Sequence, residues 1–227
     1  MPIISLQKSP LKTFSQRMAN IAQLQQAVED LESLQRMVNK LKTLQLRESE
    51  NDPLQPAVKD LELKQVRHLP QKQGLLVGCY VVLLVAGWQQ FLQGTALNAF
   101  QTLDPLLPDL SDKDERKRRK QLRRAGFDIR GGYPFNTPNV KNTDALFRVA
   151  TGINKISDAW TTEELPSDKV CTRLDHIVQV RHNVAHSIFS LEALSVEENF
   201  DDMQFVFTIA SITSDRVDEH VKNITDA

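Results

Sequence analysis

Apolar residues recur every three or four positions along the first part of the chain. Between Leu11 and Leu46 these positions hold Phe, Met, Ile, Leu and Val, and Gln, Lys and Glu fill the positions between them. This spacing places the apolar side chains on one face, so it predicts one long amphipathic helix. Pro10 stands directly before it, at a favoured position for a helix start. The pattern is equally compatible with packing on the chain's own domain and with a dimer or partner surface.

The apolar pattern stops at Arg47–Pro56, a charged stretch that contains two prolines. Such a break is typical of a linker. It divides the chain into an N-terminal helix, residues 1–50, and a helical domain, residues 57–227. The pattern then predicts a second helix from about Ala57 to about Phe100, with a bend near Pro70.

One segment of the predicted second helix resembles a membrane span. No charged residue occurs from Gln73 to Leu103, and the run GLLVGCYVVLLVAGW is almost wholly apolar. That run is shorter than the roughly twenty residues that a bilayer requires, and glutamines without a basic anchor follow it. We therefore expect the central helix of a soluble bundle, apolar on all sides because neighbouring helices surround it, and no membrane contact.

The rest of the chain also follows helical periodicity. A helix that Asn142 or Thr143 could cap is followed by a loop, Asp158–Asp168, and by a helix at Cys171–Ser187. A closing helix is predicted from about Glu198 to Asn223. Because no alternating hairpin pattern precedes residue 125, the predicted fold class is all-α.

The composition is that of a soluble globular protein, with 41% hydrophobic and 25% charged residues. The formal net charge of −1 means that any nucleic-acid binding must come from a local basic patch. Cys79 and Cys171 have no zinc-site spacing and are expected to be small buried residues in a reducing cytosol. Residues 1–11 contain no apolar run typical of a secretory signal, so a cytoplasmic location is expected.

A candidate basic patch lies at Lys113–Arg124, where eight basic residues stand against two acidic ones. A run of this kind is often only a solvated helix face. Here a glycine-rich loop with three aromatic residues follows it, and such a pair of features could hold a phosphate backbone and stack exposed bases. The candidate RNA-binding residues are Arg116, Lys117, Arg118, Arg119, Lys120, Arg123 and Arg124.

The most informative chemistry lies on the helix predicted at Cys171–Ser187. On a helical wheel Arg181 falls within the apolar face that Leu174, Ile177, Val178, Val184, Ala185 and Ile188 form. A guanidinium cannot lose its charge, so in that position it needs an anionic partner or several acceptors. Asp175, His182 and His186 form a polar stripe beside it, with Gln179 next to them. A permanent cation and an imidazole on one rigid helix are what phosphodiester chemistry needs.

A metal site is the alternative interpretation of the histidine pair. The spacing of His182 and His186 can bind a divalent ion, but further ligands would have to come from elsewhere, and the sequence contains no second histidine cluster. No metal ligand and no cofactor are therefore predicted.

The hexapeptide RHNVAH, residues 181–186, resembles the R-[NDH]-x-x-x-H signature of HEPN domains. The run LLVGCYVVLLVAGWQQFL is similar to the long first helix of that family. FNTPNVKNTDALFRVATGI, followed by Trp160, is similar to the segment before the motif in its RiboL-PSP branch and in one neighbouring branch. The resemblance extends over about Gln65–Asn223 and leaves the N-terminal helix unexplained. It implies an up-and-down helical bundle.

The resemblance also implies an activity, metal-independent cleavage of single-stranded RNA in a cleft shared by a homodimer. His186 would then transfer a proton at the ribose 2′-OH or at the leaving 5′-oxygen, and Arg181 would bind the scissile phosphate. His182 or Asn183 would orient the phosphate, and Asp175 would fix an imidazole or pair with Arg181. The family most often has Asn where this chain has His182, so the role of that residue stays open.

The partners that the resemblance implies are RNA, a second copy of the chain, and an antitoxin or other regulatory protein. The chain would then be a toxin or a phage-defence effector. The alternative is a non-catalytic HEPN module that binds a nucleotide or a protein within a larger assembly.

Overall fold

The computed structural model describes residues 9–45, 69–104, 113–114, 135, 137–162, 165–186 and 196–226. Within these residues every regular element is helical, which confirms the predicted all-α class. The elements are α1 (Pro10–Gln45), α2 (Leu69–Leu103), α3 (Val140–Thr151), a 3₁₀ helix (Ile156–Ala159), α4 (Ser167–His186) and α5 (Val196–Thr225).

Helix α2 is the centre of the bundle, and α1, α3, α4 and α5 all pack against it. Its buried face carries large apolar side chains that include Leu84, Trp88 and Leu92, each at most 1% exposed. The Trp88 indole N–H donates to the Pro138 carbonyl at 3.1 Å. The Trp88 ring also meets Trp160 edge-on, with 6.1 Å between the ring centroids. This pair joins α2 to the segment that leads into α4.

The long helices alternate in direction. On α1, Pro10 lies against Gly94 and Phe14 lies against Gly87, whereas Val28 reaches the start of α2, so α1 and α2 are antiparallel. Thr162 and Leu165, just before α4, lie beside Thr208 of α5, and Arg173 further along α4 contacts Asp202. Helices α4 and α5 are therefore antiparallel as well. This agrees with the up-and-down bundle that the sequence predicts.

Helix α1 packs on the same core as the rest of the chain. Phe14, Met18 and Ile21 are at most 6% exposed and belong to the core cluster around α2. The Phe14 ring lies 5.5 Å from that of Phe91, measured between centroids. The first half of α1 therefore packs on its own bundle, whereas Leu34 and Met37 in its second half are 43% and 61% exposed, and a dimer or partner surface stays a prediction. The proposed boundary between residues 50 and 57 lies outside the described residues.

Two expectations are wrong, that α2 is buried on all sides and that Cys79 and Cys171 are both buried. Leu75 is 59% exposed, Leu83 is 46% exposed, and Cys79 between them is also exposed. These three residues are four positions apart, so one face of the helix is open to solvent near its start. Cys171 is half-buried, and burial is the main cause of its raised pKa.

The range Gly74–Leu103 has the length and hydropathy of a membrane span, and 56% of its most apolar window is buried inside the bundle. The core helix of a soluble protein has the same properties. The absence of membrane contact stays a prediction.

The helix boundaries agree with the sequence patterns at α1 and α5. The predicted linker at residues 47–56 and the helix start at Ala57 lie outside the described residues, and Pro70 occupies the first turn of α2, where proline is tolerated. The cap of α3 was predicted wrongly. Asn139 is the cap, because its side-chain oxygen accepts from the Asn142 backbone N–H at 2.9 Å. The predicted loop at residues 158–168 is shorter, since α4 already begins at Ser167 and the 3₁₀ helix ends at Ala159.

Candidate active site on helix α4

Helix α4 is held in the bundle by its first three turns. Val170 and Leu174 are fully buried, and Ile177 and Val178 are 2% and 6% exposed. These residues recur at the spacing that places them on one helical face. This part of the apolar face predicted from the sequence is confirmed. It anchors the helix against α2, so that the residues after Val178 are carried on a rigid base.

The last turn of α4 emerges from the bundle. His182, Asn183, Ala185 and His186 are exposed, and Val184 is half-buried. Helix geometry explains why the described part of α5 does not cover this turn, because His186 lies about 20 Å beyond Arg173, whereas the antiparallel α5 extends only about 9 Å from Asp202 to Val196. The prediction that Ala185 belongs to a buried face is therefore wrong. Ile188 lies outside the described residues.

Arg181 stands where α4 leaves the core. Its side chain is partly buried, and its Nε atom is shielded from solvent without any hydrogen-bond partner. Within the described residues Arg181 forms no ion pair. A shielded N–H of a permanent cation without an acceptor is costly, and it can reach an acceptor from outside only after the side chain turns outward, because an atom closed to water is also closed to a phosphate oxygen. The guanidinium is thus suited to bind an anion such as phosphate, as its place in the sequence pattern indicates.

Two contacts between residues four apart order the exposed stripe of α4. The rings of His182 and His186 lie together, with 4.5 Å between their centroids and 51° between their planes. Beside them, the Gln179 side-chain amide donates to Asn183 Oδ1 at 3.0 Å. Because Asn183 uses its oxygen in this bond, its amide N–H groups are left to donate outward. The structure therefore places both histidines and an amide donor on one accessible surface.

Asp175 is occupied by a structural contact. Its Oδ1 atom accepts from the Val140 backbone N–H at 2.9 Å, at the first residue of α3. Together with the Asn139 side chain it satisfies donors at the start of that helix, which have no partner inside the helix. Neither Arg181 nor a histidine is its hydrogen-bond partner, contrary to the roles expected from the sequence. Asp175 fixes α4 against α3 instead.

Replacing Asp175 with alanine is expected to lower the free energy of unfolding by about 1 kcal/mol, because the Val140 N–H loses its acceptor. Asp175→Asn keeps an oxygen in the same place and is expected to lose less than half as much. Urea unfolding followed by circular dichroism measures both values. Equal losses in the two variants would show that the hydrogen bond does not carry the effect.

A second contact that holds α4 involves residues that the sequence did not single out. Arg173 donates from Nε and Nη2 to one Asp202 oxygen, at 3.0 and 2.9 Å, and its guanidinium lies 4.4 Å from the centroid of the Phe205 ring. Burial raises the pKa of Asp202, and the bond from Arg173 opposes that rise. The partners are 29 residues apart and follow no local spacing, so no sequence signal could have identified them. They fix the orientation of α4 on α5.

The predicted RNA-binding residues from Arg116 to Arg124 lie outside the described part of the chain. Among the described residues, no group of three or more His, Cys, Asp or Glu side chains could hold a metal ion. His182 and His186 therefore have no third ligand of those types within the described helices.

Comparison with known proteins adds one match. The family model described as RiboL-PSP-HEPN matches residues 42–223, which include α2 to α5 almost completely and the whole of α4. None of the curated proteins and none of the solved structures matches the chain.

Proposed function

Since the chain belongs to the RiboL-PSP-HEPN family, we propose that it is a metal-independent endoribonuclease that cleaves single-stranded RNA. The family supports a nuclease or nucleotide-binding function in general, and HEPN domains commonly form dimers and bind RNA. The observation that carries the finer proposal is the Arg181 Nε–H, shielded from solvent without an acceptor, on the same helix end as two exposed histidines.

The proposed reaction is an attack of the ribose 2′-OH on the adjacent phosphorus. The 2′-oxygen forms a bond to phosphorus as the bond to the 5′-oxygen breaks, which yields a 2′,3′-cyclic phosphate and a 5′-hydroxyl. His186 transfers a proton from the 2′-OH or to the leaving 5′-oxygen. Arg181 binds the nonbridging oxygens, where negative charge grows in the transition state. Asn183 offers a further donor to the phosphate.

A homodimer is part of this proposal. His186 and its neighbours are open to solvent in a single chain, and a cleft that excludes water would strengthen the interactions of Arg181 and His186 with the phosphate. Two copies of the α4 end facing each other across a two-fold axis would form such a cleft and supply a second imidazole. One histidine could then remove the proton from the 2′-OH and the other could protonate the leaving group.

The assay uses the full chain, a single-stranded RNA oligonucleotide and excess EDTA. We expect cleavage into fragments with 2′,3′-cyclic phosphate and 5′-hydroxyl ends, and a rate lower by about 10²- to 10⁴-fold in His186→Ala. The matched control is His176→Ala, an exposed histidine one turn before Val180 on the same helix. RNA that stays intact with the wild-type chain, or that His186→Ala cuts at the wild-type rate, would reject the proposal.

The biological role proposed with this activity is that of a cytoplasmic toxin or phage-defence effector, restrained by an antitoxin or another regulatory protein. Expression of the wild-type chain should then slow the growth of a host, and expression of His186→Ala should not. The alternative is a HEPN module that binds a nucleotide through the same Arg181 donor without cleaving it. In that case Arg181→Ala would weaken nucleotide binding, and neither the wild-type chain nor any variant would cleave the RNA.

A further inference from the structure

The angular order of the motif side chains around α4 gives His182 a place between the two residues assigned to the reaction. At about 100° per residue, His182 stands about 100° around the helix from Arg181, and His186 stands about 140° from it. Arg181 and His186 therefore point in rather different directions. A phosphate can contact both only if the imidazole of His186 is turned towards the Arg181 side of the helix.

The His186 side chain has two neighbours one turn earlier, His182 on the Arg181 side and Asn183 on the other side. Its ring contacts that of His182, at 4.5 Å between centroids. The Asn183 side-chain oxygen is already engaged, because it accepts a hydrogen bond from the Gln179 amide at 3.0 Å. The ring of His182, which stands on the Arg181 side of His186, is thus the described side-chain contact of the His186 imidazole.

We propose that His182 is a positioning residue, whose ring holds the His186 imidazole on the Arg181 side of α4 and does not itself transfer a proton. This inference rests on the proposed nuclease function. It assigns His182 to packing, because ring-on-ring contact requires an aromatic side chain but no titratable nitrogen. His182→Phe should therefore retain the positioning of His186, and His182→Ala should not.

The test compares His182→Ala with His182→Phe in the RNA cleavage assay. Misplacing the imidazole should lower kcat about tenfold or more in His182→Ala with little change in KM, since poor geometry at a reacting group affects the chemical step. His182→Phe should recover kcat to within about threefold of the wild-type value by the same argument. His176→Ala and His176→Phe control for removing an imidazole from this helix and for adding an exposed phenyl ring to it.

A second readout does not depend on activity. In proton NMR spectra, the ring signals of His186 should shift when the neighbouring ring is removed in His182→Ala, and should keep a ring-current shift in His182→Phe. A wild-type kcat in His182→Ala would overturn the positioning role. An equal loss of kcat in His182→Ala and His182→Phe would also overturn it, because it would show that the nitrogens of His182 are needed. An inactive wild-type chain would reject the nuclease itself, and unchanged NMR signals would reject the ring contact.

Discussion

Replacing Arg181 with lysine is expected to slow RNA cleavage almost as strongly as replacing it with alanine, by about 10²- to 10³-fold in each case. The reason lies in which atom lacks a partner. The donor without a partner is Nε, partway along the side chain, which meets a phosphate oxygen once the side chain turns outward; lysine has no donor at that position although it keeps the positive charge. A guanidinium can also bind two phosphate oxygens at once, which an ammonium group does with less geometric definition.

The rates of Arg181→Lys, Arg181→Ala and the wild-type chain should be measured in single turnover with saturating RNA. Arg216→Lys serves as the matched control, because Arg216 is an exposed arginine on α5 that pairs with Glu219 at 2.7 Å. Wild-type activity in Arg181→Lys would show that a positive charge alone is sufficient and that Nε has no special role. Binding of the uncleaved RNA separates a loss of affinity from a loss in the chemical step.

Local periodicity was sufficient to predict the long helices and the buried face of α4. Leu174, Ile177 and Val178 repeat at helical spacing, and each contributes its apolar surface whatever its exact neighbours are. The spacing placed Arg181 within that face, and the structure leaves its side chain partly buried. These features depend only on the spacing of apolar residues along the chain, which can be read directly from the sequence.

The departures from the predictions depend on contacts between distant residues. Asp175 belongs to a polar stripe on the wheel, but the start of α3, 35 residues earlier, determines what its carboxylate binds. The exposure of Ala185 depends on which residues lie beside the end of α4, and the exposure of Cys79 depends on which helices pack on that face of α2. A helical wheel contains no information about neighbours, so it could not have predicted these three outcomes.

Replacing Trp160 with alanine is expected to have the largest effect on stability, a loss of about 3–5 kcal/mol out of the roughly 5–15 kcal/mol that is typical of a folded protein. Trp160 is fully buried, meets Trp88 edge-on, and donates its indole N–H to Thr213 Oγ1 at 2.9 Å. It lies in the short segment before α4, so its contacts with α2 and α5 determine where α4 begins. The loss should appear in both urea and thermal unfolding.

Two further substitutions separate the contributions of the ring and of the hydrogen bond. Trp160→Phe keeps an aromatic ring against Trp88, and Thr213→Val removes the acceptor of the indole N–H, so each is expected to cost only about 1–3 kcal/mol. Losses in Trp160→Ala no larger than in Thr213→Val would contradict the view that ring packing dominates. RNA cleavage per folded molecule should change little in Thr213→Val, because Leu174 and the Arg173–Asp202 pair still hold α4 and the motif at its end stays in place.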